Sequence, residues 1–300
     1  MIQLNPKRDP GMLYFIWRWK IATSATLAYL FFPNQKPDTA YRRLQQLKRG
    51  RYLTLRVGGE GHEYFWSLGR KGFAAIEKYL PLLRSTGFQS ENLEHDQLVN
   101  LLHLGEWQKG IPKGISRFTE QELRRVDPLA YPDWVPNSDL HRSDGYIRLS
   151  NNTSSEVISI EVERSFKTVS QYQMIGNFYR DERKVNHILW MVTNRSKAKR
   201  LQNYLEGKES PENQIHHFVI QKDLLGNSWG ASIQLGPKKG QSIREWFHSY
   251  SQNDPLRNLS ERSPSTDRFR ILDTRKCGFK TRTYSDVQNE QSRPINHGVN

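Results

Sequence analysis

Apolar residues near the amino terminus repeat at helical spacing twice and then alternate at strand spacing twice. A first helix is predicted from Thr23 or Ser24, either of which can cap it. A second helix is predicted from Pro37, because proline suits the first turn of a helix. The alternating segments 52–57 and 63–68 then predict the two strands of a β-hairpin. A short helix closes this unit.

Beyond a polar linker, the pattern predicts a mixed α/β core. The predicted elements, in order, are a helix from Leu93, a charged strand at 115–125, strands at 144–149 and 156–163, a helix at 167–184, a buried strand at 187–193, a basic helix at 195–205 and a strand at 215–220. Weaker strand patterns continue to Leu235. This order predicts an antiparallel hairpin followed by a parallel pair of strands with a helix crossing between them.

The periodicity fades from Gly236 onward, where polar residues and scattered arginines predominate. Residues 236–300 are therefore predicted to form a mostly disordered basic tail. We expect this tail to make non-specific phosphate contacts that weaken as the salt concentration rises. The alternative is a dispensable, solvated extension.

The positive charge of the chain is concentrated at its two ends. The net charge is +14, with 14 Lys and Arg against 5 Asp and Glu in residues 1–80, 19 against 19 in residues 81–235, and 12 against 7 in residues 236–300. Basic ends around a neutral middle favour the binding of a polyanion such as nucleic acid.

The cellular compartment is predicted from cysteine content and apolar runs. Cys277 is the only cysteine, which excludes an intrachain disulfide framework and favours a reducing cytoplasm. The apolar run from Met12 to Trp19 is interrupted by Arg18, and no run approaches the ~18 residues of a membrane span. We therefore expect no secretory signal, no membrane span and a cytoplasmic location.

The predicted helices and glycine-tipped hairpin of residues 12–80 resemble a winged helix-turn-helix domain. In such a domain the second helix enters the major groove of double-stranded DNA and the hairpin lies on the backbone. Eight polar residues are the predicted DNA contacts: Thr39, Arg42, Arg43, Gln46, Lys48, Arg49, Arg51 and Arg56. The alternative is a protein-docking winged helix whose basic face is only solvated.

Three acidic residues stand where two strands of the core are predicted to pair. Glu161 and Glu163 alternate with apolar residues on one strand, and Asp144 belongs to the neighbouring strand of the same hairpin. Carboxylates gathered on one face repel one another unless a cation binds them. We therefore interpret Asp144, Glu161 and Glu163 as candidate ligands of Mg²⁺ or Mn²⁺, as in magnesium-dependent phosphodiester chemistry. Solvated acids on an edge strand are the alternative.

The element order, with Ser143-Asp144-Gly145 and Glu161-Val162-Glu163, resembles the PD-(D/E)XK nuclease-like fold over residues 93–235. Over residues 12–225 the chain is similar to the replication-relaxation family of plasmid and mobile-element proteins, which joins a winged helix to such a domain. Some of its members are similar to MobC-type conjugative relaxases. The resemblance implies an α+β fold with an α/β restriction-endonuclease-like core, in which Asp144 and Glu161 match the family's metal-binding acids.

The chain departs from this pattern at two positions. Glu163 stands where the fold has a lysine, and Ser143 stands where it has a proline. That lysine ordinarily positions the attacking water and offsets charge on the phosphate. Lys167 is the nearest replacement and Lys184 a weaker one. The other explanation is an inactive site in a domain that only binds.

Other polar residues of the core have a structural interpretation. Tyr172 and Tyr179 are separated by a heptad, which favours packing over a role as a nucleophile. His216-His217 would point to alternate strand faces, so zinc binding is not expected. Solvated side chains are favoured over a further metal ligand at the start of the first core helix: Glu94, His95 and Asp96.

Two functions follow from these patterns. The leading hypothesis is a metal-dependent nuclease that nicks or processes double-stranded DNA at an origin-like site, with mobilisation or replication proteins as further partners. Its predicted catalytic residues are Asp144, Glu161, Glu163 and Lys167. The alternative is a non-catalytic DNA-binding regulator of plasmid replication or transcription. The aligned acids favour the enzyme, and the missing lysine favours the regulator.

Overall fold

A computed structural model of the chain describes residues 2–58, 63–105, 114–151, 153–206 and 215–250. The described residues form a mixed α+β protein, as predicted. The amino-terminal elements are α1 (Asp9–Trp19), β1 (Ile21–Ala22), α2 (Ser24–Phe31), α3 (Pro37–Arg49), β2 (Leu53–Gly58), β3 (Glu63–Leu68) and α4 (Arg70–Ile76).

The amino-terminal sheet has the order β1-β3-β2, and both strand pairs are antiparallel. Thr23 caps α2 by accepting a hydrogen bond from the Thr26 N–H at 3.1 Å. The predicted stripe of α3 is buried and consists of Ala40, Leu44 and Leu47. The tip of the predicted hairpin, 59–62, lies outside the described residues.

The predicted start of this module at residue 12 is too late, because α1 already begins at Asp9. Nine of its eleven residues are buried, including Trp17 and Trp19. A helix that is apolar on most sides lacks the two-faced pattern by which an amphipathic helix is recognised in a sequence. Its sequence therefore shows only an apolar run, without the periodicity that predicts a helix.

The second sheet has the strand order β4-β5-β6-β7-β8. Its elements are α5 (Leu93–Leu104), β4 (Ile115–Thr119), α6 (Glu120–Arg125), β5 (Gly145–Ser150), β6 (Ser155–Glu163), α7 (Val169–Asp181), β7 (His187–Val192), α8 (Arg195–Glu206), β8 (His216–Ile220), α9 (Gln221–Asn227) and α10 (Ile243–Ser249). Strands β4 to β6 pair antiparallel, whereas β6, β7 and β8 pair parallel. The two parallel connections are the helical crossovers α7 and α8.

Helices cover both faces of this sheet. On one face, Ile158 and Ile160 of β6 belong to the same apolar cluster as Leu98 of α5. On the other face, Val157 of β6 belongs to a second cluster with Tyr172 of α7. Alternate residues of β6 therefore point to opposite layers, as the period of a strand requires. This arrangement fixes the layer into which each acidic residue projects.

Two predicted segments of the core and the predicted start of the tail were wrong. The strand predicted at 115–125 ends at Thr119, where a capping box between Thr119 and Glu122 starts α6. The weak strand patterns before Leu235 are mainly α9 and a 3₁₀ turn. The predicted disordered tail begins too early, because α10 buries Trp246 and Phe247 after Gly236. The rest of that tail, 251–300, lies outside the described residues.

The amino-terminal module and the core are in direct contact with each other. Arg18 of α1 forms an ion pair of 2.9 Å with Glu122 of α6. The Asn100 side chain of α5 donates to the Trp19 carbonyl at 3.1 Å. The linker itself pairs with the core, since the Arg84 N–H donates to the Arg125 carbonyl at 2.8 Å. Among the described residues, no helix combines the length and apolar character needed to cross a bilayer.

Candidate functional site

The outer face of α3 carries most of the predicted DNA contacts in an accessible position. The exposed members are Thr39, Arg42, Gln46, Lys48 and Arg49. The side chains of Arg42 and Lys48 make no hydrogen bond or ion pair with any other described residue. Their positive charges are therefore free to meet an external anion.

Arg43 is a structural residue of α3 and does not belong to this free set. Its guanidinium forms an ion pair with Asp9, which is fully buried and also pairs with Arg8 at 3.1 Å. A second nitrogen of Arg43 donates to Gln46 Oε1 at 3.1 Å. A buried carboxylate needs such cationic partners, so Arg43 holds α3 against α1. This arrangement does not support the predicted DNA-contact role of Arg43.

A basic pocket lies where α3 ends and β2 begins. Its lining consists of Ile2, Arg49, Gly50, Arg51, Tyr52 and Lys71. Arg49, Arg51 and Lys71 are exposed and have no ion-pair partner among the described residues. Arg51 adopts a φ of 63°, which turns the chain sharply between helix and strand. Three cations without an ion-pair partner around one concavity would attract an anion. Lys71 was not identified from the sequence as part of this set.

The first of the three acids, Asp144, sits just before β5. Its N–H donates to the Ile160 carbonyl at 3.0 Å, and its Oδ2 accepts from the Val162 N–H at 2.7 Å. The same oxygen lies 3.3 Å from Nε2 of His95 in α5. Asp144 therefore extends the pairing of β5 with β6, and its carboxylate is directed to the α5 side of the sheet.

Gly145 makes this position of Asp144 possible. It has a φ of 142°, and an added Cβ would lie closer than 3.0 Å to the buried side chain of His103. We expect Gly145→Ala to lower the free energy of unfolding by about 1–3 kcal/mol, as for strained backbone positions. Urea denaturation measures this loss. Gly226→Ala, where a Cβ meets nothing within 4 Å, is the control, and an equal effect of both substitutions would refute the explanation.

Glu161 projects to the opposite side of the sheet, towards α7. Its Oε1 accepts a hydrogen bond from the Tyr179 hydroxyl and lies 2.7 Å from His141 Nε2. Burial and the charge of Glu161 raise the pKa of Tyr179 well above its usual value, so the phenol keeps its proton and donates it. Burial lowers the pKa of His141, but the charge of Glu161 and their hydrogen bond outweigh it and raise that pKa. Glu161 is thus a buried carboxylate with two donors.

Glu163 and Lys167, both predicted catalytic residues, form an ion pair with each other. Lys167 Nζ forms an ion pair with Glu163 Oε2. The carboxylate is 7% exposed and the ammonium 42% exposed. Lys184, the weaker alternative, instead donates to the Val135 carbonyl at 3.1 Å. The Lys167 charge is therefore already matched by a carboxylate.

The three acids are not gathered as one set of metal ligands. Among the described residues, the group of histidine, cysteine or acidic side chains that could hold a metal ion is His95, Asp96 and Glu120, whose ligand atoms lie within 4.8 Å of one another. Asp144, Glu161 and Glu163 form no such group. Asp144 is directed to the α5 side of the sheet, whereas Glu161 and Glu163 lie on the other face and are bonded to Tyr179 and Lys167. These residues therefore do not fit the predicted shared ion.

The cluster at His95, Asp96 and Glu120 already contains a cation from the chain. Lys20 Nζ lies 2.8 Å from Asp96 Oδ1 and 2.5 Å from Glu120 Oε2. Burial lowers the pKa of Lys20, but the charges of both acids outweigh it and raise that pKa. Asp96 is 4% exposed, so the predicted solvated side chain is wrong there. Lys20 thus links the amino-terminal module to the core through buried charge pairs.

The His95 imidazolium completes this network and makes stability depend on pH. Burial lowers the pKa of His95, but hydrogen bonds to Asp144 and Asp96 raise it, to about 10 from the ordinary 6.5. The folded state therefore binds a proton that the unfolded state releases above pH 6.5. We expect the His95 contribution to be complete below pH 6.5 and to be lost towards pH 10, at up to about 1.4 kcal/mol per pH unit. Urea denaturation across this pH range measures the free energy of unfolding. If its dependence on pH were the same in His95→Gln as in the wild type, the assignment to His95 would be wrong.

The other predicted polar residues have structural roles in the described core. Tyr172 and Tyr179 are 0% and 1% exposed, which confirms packing positions. His216 accepts a hydrogen bond from the Trp190 indole at 3.0 Å. His217 and His187 lie 3.0 Å apart through their ring nitrogens.

Three residues of these networks gave no usable sequence signal. Lys20 only follows an apolar run, His141 lies in a proline-rich loop, and Lys71 follows the second strand of the hairpin. The partners of Lys20 and His141 and the pocket neighbours of Lys71 are distant in sequence, so local spacing does not reveal them. Comparison with known protein families, curated proteins and solved structures gave no match to this chain. The resemblance to the replication-relaxation family therefore stays a prediction.

Proposed function

We propose that this protein binds double-stranded DNA through α3 and the basic pocket that follows it. The observation that carries the proposal is the set of cations in the amino-terminal module that have no ion-pair partner among the described residues, three of which line one pocket. This set consists of Arg42, Lys48, Arg49, Arg51, Arg56 and Lys71. Such cations contact phosphates and supply most of the sequence-independent affinity for DNA.

The order of elements supports the winged-helix interpretation of this module. α2 and α3 are separated by a short turn, and the β2–β3 hairpin follows α3 directly. β1 adds to the hairpin as a third strand, next to β3. In a winged helix-turn-helix domain, α3 would lie in the major groove with Thr39 and Arg42 towards the bases. The pocket of Arg49, Arg51 and Lys71 would then hold the backbone.

The cytoplasmic role that fits this arrangement best is that of a non-catalytic regulator of replication or transcription on a mobile element. Glu161 and Glu163 are nearly buried and already bonded to Tyr179 and Lys167. A catalytic acid has to reach a metal and a phosphate, and these contacts would have to break first. The core would instead support the DNA-binding module through the Lys20 network.

The test is incubation of the purified full chain with supercoiled plasmid that carries its own locus, with Mg²⁺, Mn²⁺ or EDTA. We expect a gel shift in all three conditions, with no conversion to open circles. Metal-dependent nicking that is lost in Asp144→Ala and Glu161→Ala would overturn the regulator. Absence of any shift would overturn DNA binding itself.

Nicking remains the second candidate function because of one observation. The Asp144 N–H donates to the Ile160 carbonyl and its Oδ2 accepts from the Val162 N–H, so Asp144 lies beside the segment of β6 that carries Glu161. The arrangement resembles the paired acids of the PD-(D/E)XK nuclease-like fold. The carboxylates are directed apart, so the plasmid experiment decides between the two functions.

A further inference from the structure

We propose that the first two turns of α8 and the exposed ring of Phe166 form a binding surface for single-stranded DNA. This surface, the α8 platform, consists of Phe166, Arg195, Lys197, Lys199 and Arg200. It is separate from α3 and goes beyond duplex binding.

The charge pattern of α8 is unfavourable for the helix itself. Four of its first six residues are cationic, and its first turn has no acid. The amino terminus of a helix carries the positive end of its dipole, where each cation costs about 0.3–1 kcal/mol. Ala198 and Leu201 bury the inner face without any need for these charges. Cations at the start of a helix that oppose its dipole and add no stability indicate a functional surface.

The cations of the α8 platform are not neutralised by acids of the described chain. Arg195 and Lys199 are exposed, and their side chains have no hydrogen bond or ion pair with another described residue. Lys197 Nζ donates to the Arg164 carbonyl at 3.3 Å, and Arg200 Nε donates to the Tyr204 hydroxyl at 2.7 Å. Neutral acceptors leave the full positive charge in place, so the platform attracts an anion.

Phe166 adds a stacking element to this positive surface. Its ring is 36% exposed, and the Arg200 Cζ and Lys197 Nζ atoms lie over it at 4.8 and 5.5 Å from its centroid. The ring also meets Tyr172 edge-on at 5.9 Å, which fixes its orientation. An exposed aromatic ring beside unpaired cations is the combination by which proteins bind single strands: bases stack on the ring and phosphates meet the cations.

The position of the platform and the single ring favour a single strand over a duplex. β6 and β7 are parallel, so their carboxyl ends meet at one edge of the sheet, where Phe166 follows β6 and α8 follows β7. Ligands of open α/β sheets bind outside this edge. A lone ring can accept a base only when that base is unstacked, and duplex bases are already stacked on one another.

The experiment measures the affinity of the full chain for a fluorescein-labelled oligo-dT strand and for a labelled duplex, by fluorescence anisotropy. Phe166→Ala is expected to weaken oligo-dT binding by about 5- to 100-fold, the effect of losing one stacked base. Phe166→Trp keeps a stacking ring and is expected to bind oligo-dT like the wild type. Duplex affinity, measured in the same samples, is expected to stay unchanged in both variants and serves as the folding control.

The cations are tested with the double variant Arg195→Ala/Lys199→Ala. It is expected to reduce the salt slope of oligo-dT binding by about 1.4, since each phosphate contact on a single strand contributes about 0.7. The matched control is Arg183→Ala/Lys239→Ala, which removes two exposed cations away from the carboxyl edge of the sheet, where the platform lies. Failure of the wild type to bind oligo-dT, an equal loss in Phe166→Trp, or equal losses for strand and duplex would overturn the proposal. Binding of oligo-dT without duplex binding would instead refute the α3 proposal alone.

Discussion

Replacement of Arg49, Arg51 and Lys71 by alanine is expected to weaken binding to duplex DNA by several hundred-fold near ~0.1 M salt. Each of these cations is unpaired and lines the pocket at the end of α3. Release of one condensed counterion per phosphate contact contributes about tenfold in affinity at that salt concentration. The loss is expected for all sequences alike, because phosphate contacts carry no sequence information. Fluorescence anisotropy with a labelled duplex measures it.

The matched control for this triple variant removes the same charge elsewhere. Arg183, Lys222 and Lys239 are exposed and lie outside the α3 surface. Their replacement by alanine leaves the pocket intact, so we expect duplex affinity within about threefold of the wild type. Equal losses in the two triple variants would mean that net charge, and not the pocket, governs binding. Such a result would refute the assignment of this surface.

Lys20→Met is expected to lower the free energy of unfolding by about 3 kcal/mol. The substitution keeps an unbranched chain of similar size but removes the cation between two buried carboxylates. Loss of one partner from a buried pair costs about 3–5 kcal/mol. We expect the lower end, because Arg124 still pairs with Glu120 at 2.6 Å and His95 still contacts Asp96. Urea denaturation monitored by tryptophan fluorescence measures the change.

A double-mutant cycle and pH separate this charge effect from a packing effect. Glu120→Gln in the Lys20→Met background removes the charge of one buried carboxylate that has lost its lysine partner. The double variant is therefore expected to be more stable than Lys20→Met. Burial raises the pKa of Asp96, but its contacts with His95 and Lys20 outweigh this and lower it. That stabilisation is present above the ordinary value of 3.8 and is lost as the pH falls through the folded pKa. The difference in the free energy of unfolding between the wild type and Lys20→Met should therefore become smaller in acid. A difference below about 0.5 kcal/mol at neutral pH, as for a surface site, would contradict this explanation.

Local patterns predicted the amino-terminal helices and strands where one face is apolar and the other polar. α3 is an example, since its buried stripe and its exposed basic face are both legible in the sequence. α1 was missed because burial on most of its sides removes that contrast. α6 was missed because Phe118 and Leu123 alternate with charges like a strand, while the capping box at Thr119 sets a helix instead.

The candidate acids illustrate what spacing cannot predict. The alternation along β6 correctly put Glu161 and Glu163 on one face, away from Ile160. It could not predict that Tyr179 and Lys167 would bond to them, because those contacts depend on how α7 packs on the sheet. Nor could it predict that Asp144 would meet His95 from α5. Burial of these side chains is a property of tertiary packing, and it decides whether a carboxylate is an open ligand.

The Lys20 network shows a related limit. Asp96 and Glu120 lie 76 and 100 residues after Lys20 along the chain. Each residue taken alone suits a solvated surface position, and only the packing of α1 and β1 against α5 and α6 brings them together. These buried charges join the two modules on either side of the predicted polar linker.

The most direct test of the central claim is a salt titration of wild-type binding to a labelled duplex between about 50 and 200 mM salt. If Arg49, Arg51 and Lys71 each contact a phosphate, the logarithm of the association constant should fall linearly with the logarithm of the salt concentration. The slope should be about −2.7 or steeper. In the triple alanine variant we predict a slope shallower by about that amount. A duplex affinity that does not respond to salt, or no binding at about 50 mM salt, would contradict the assignment of this protein as a DNA-binding protein.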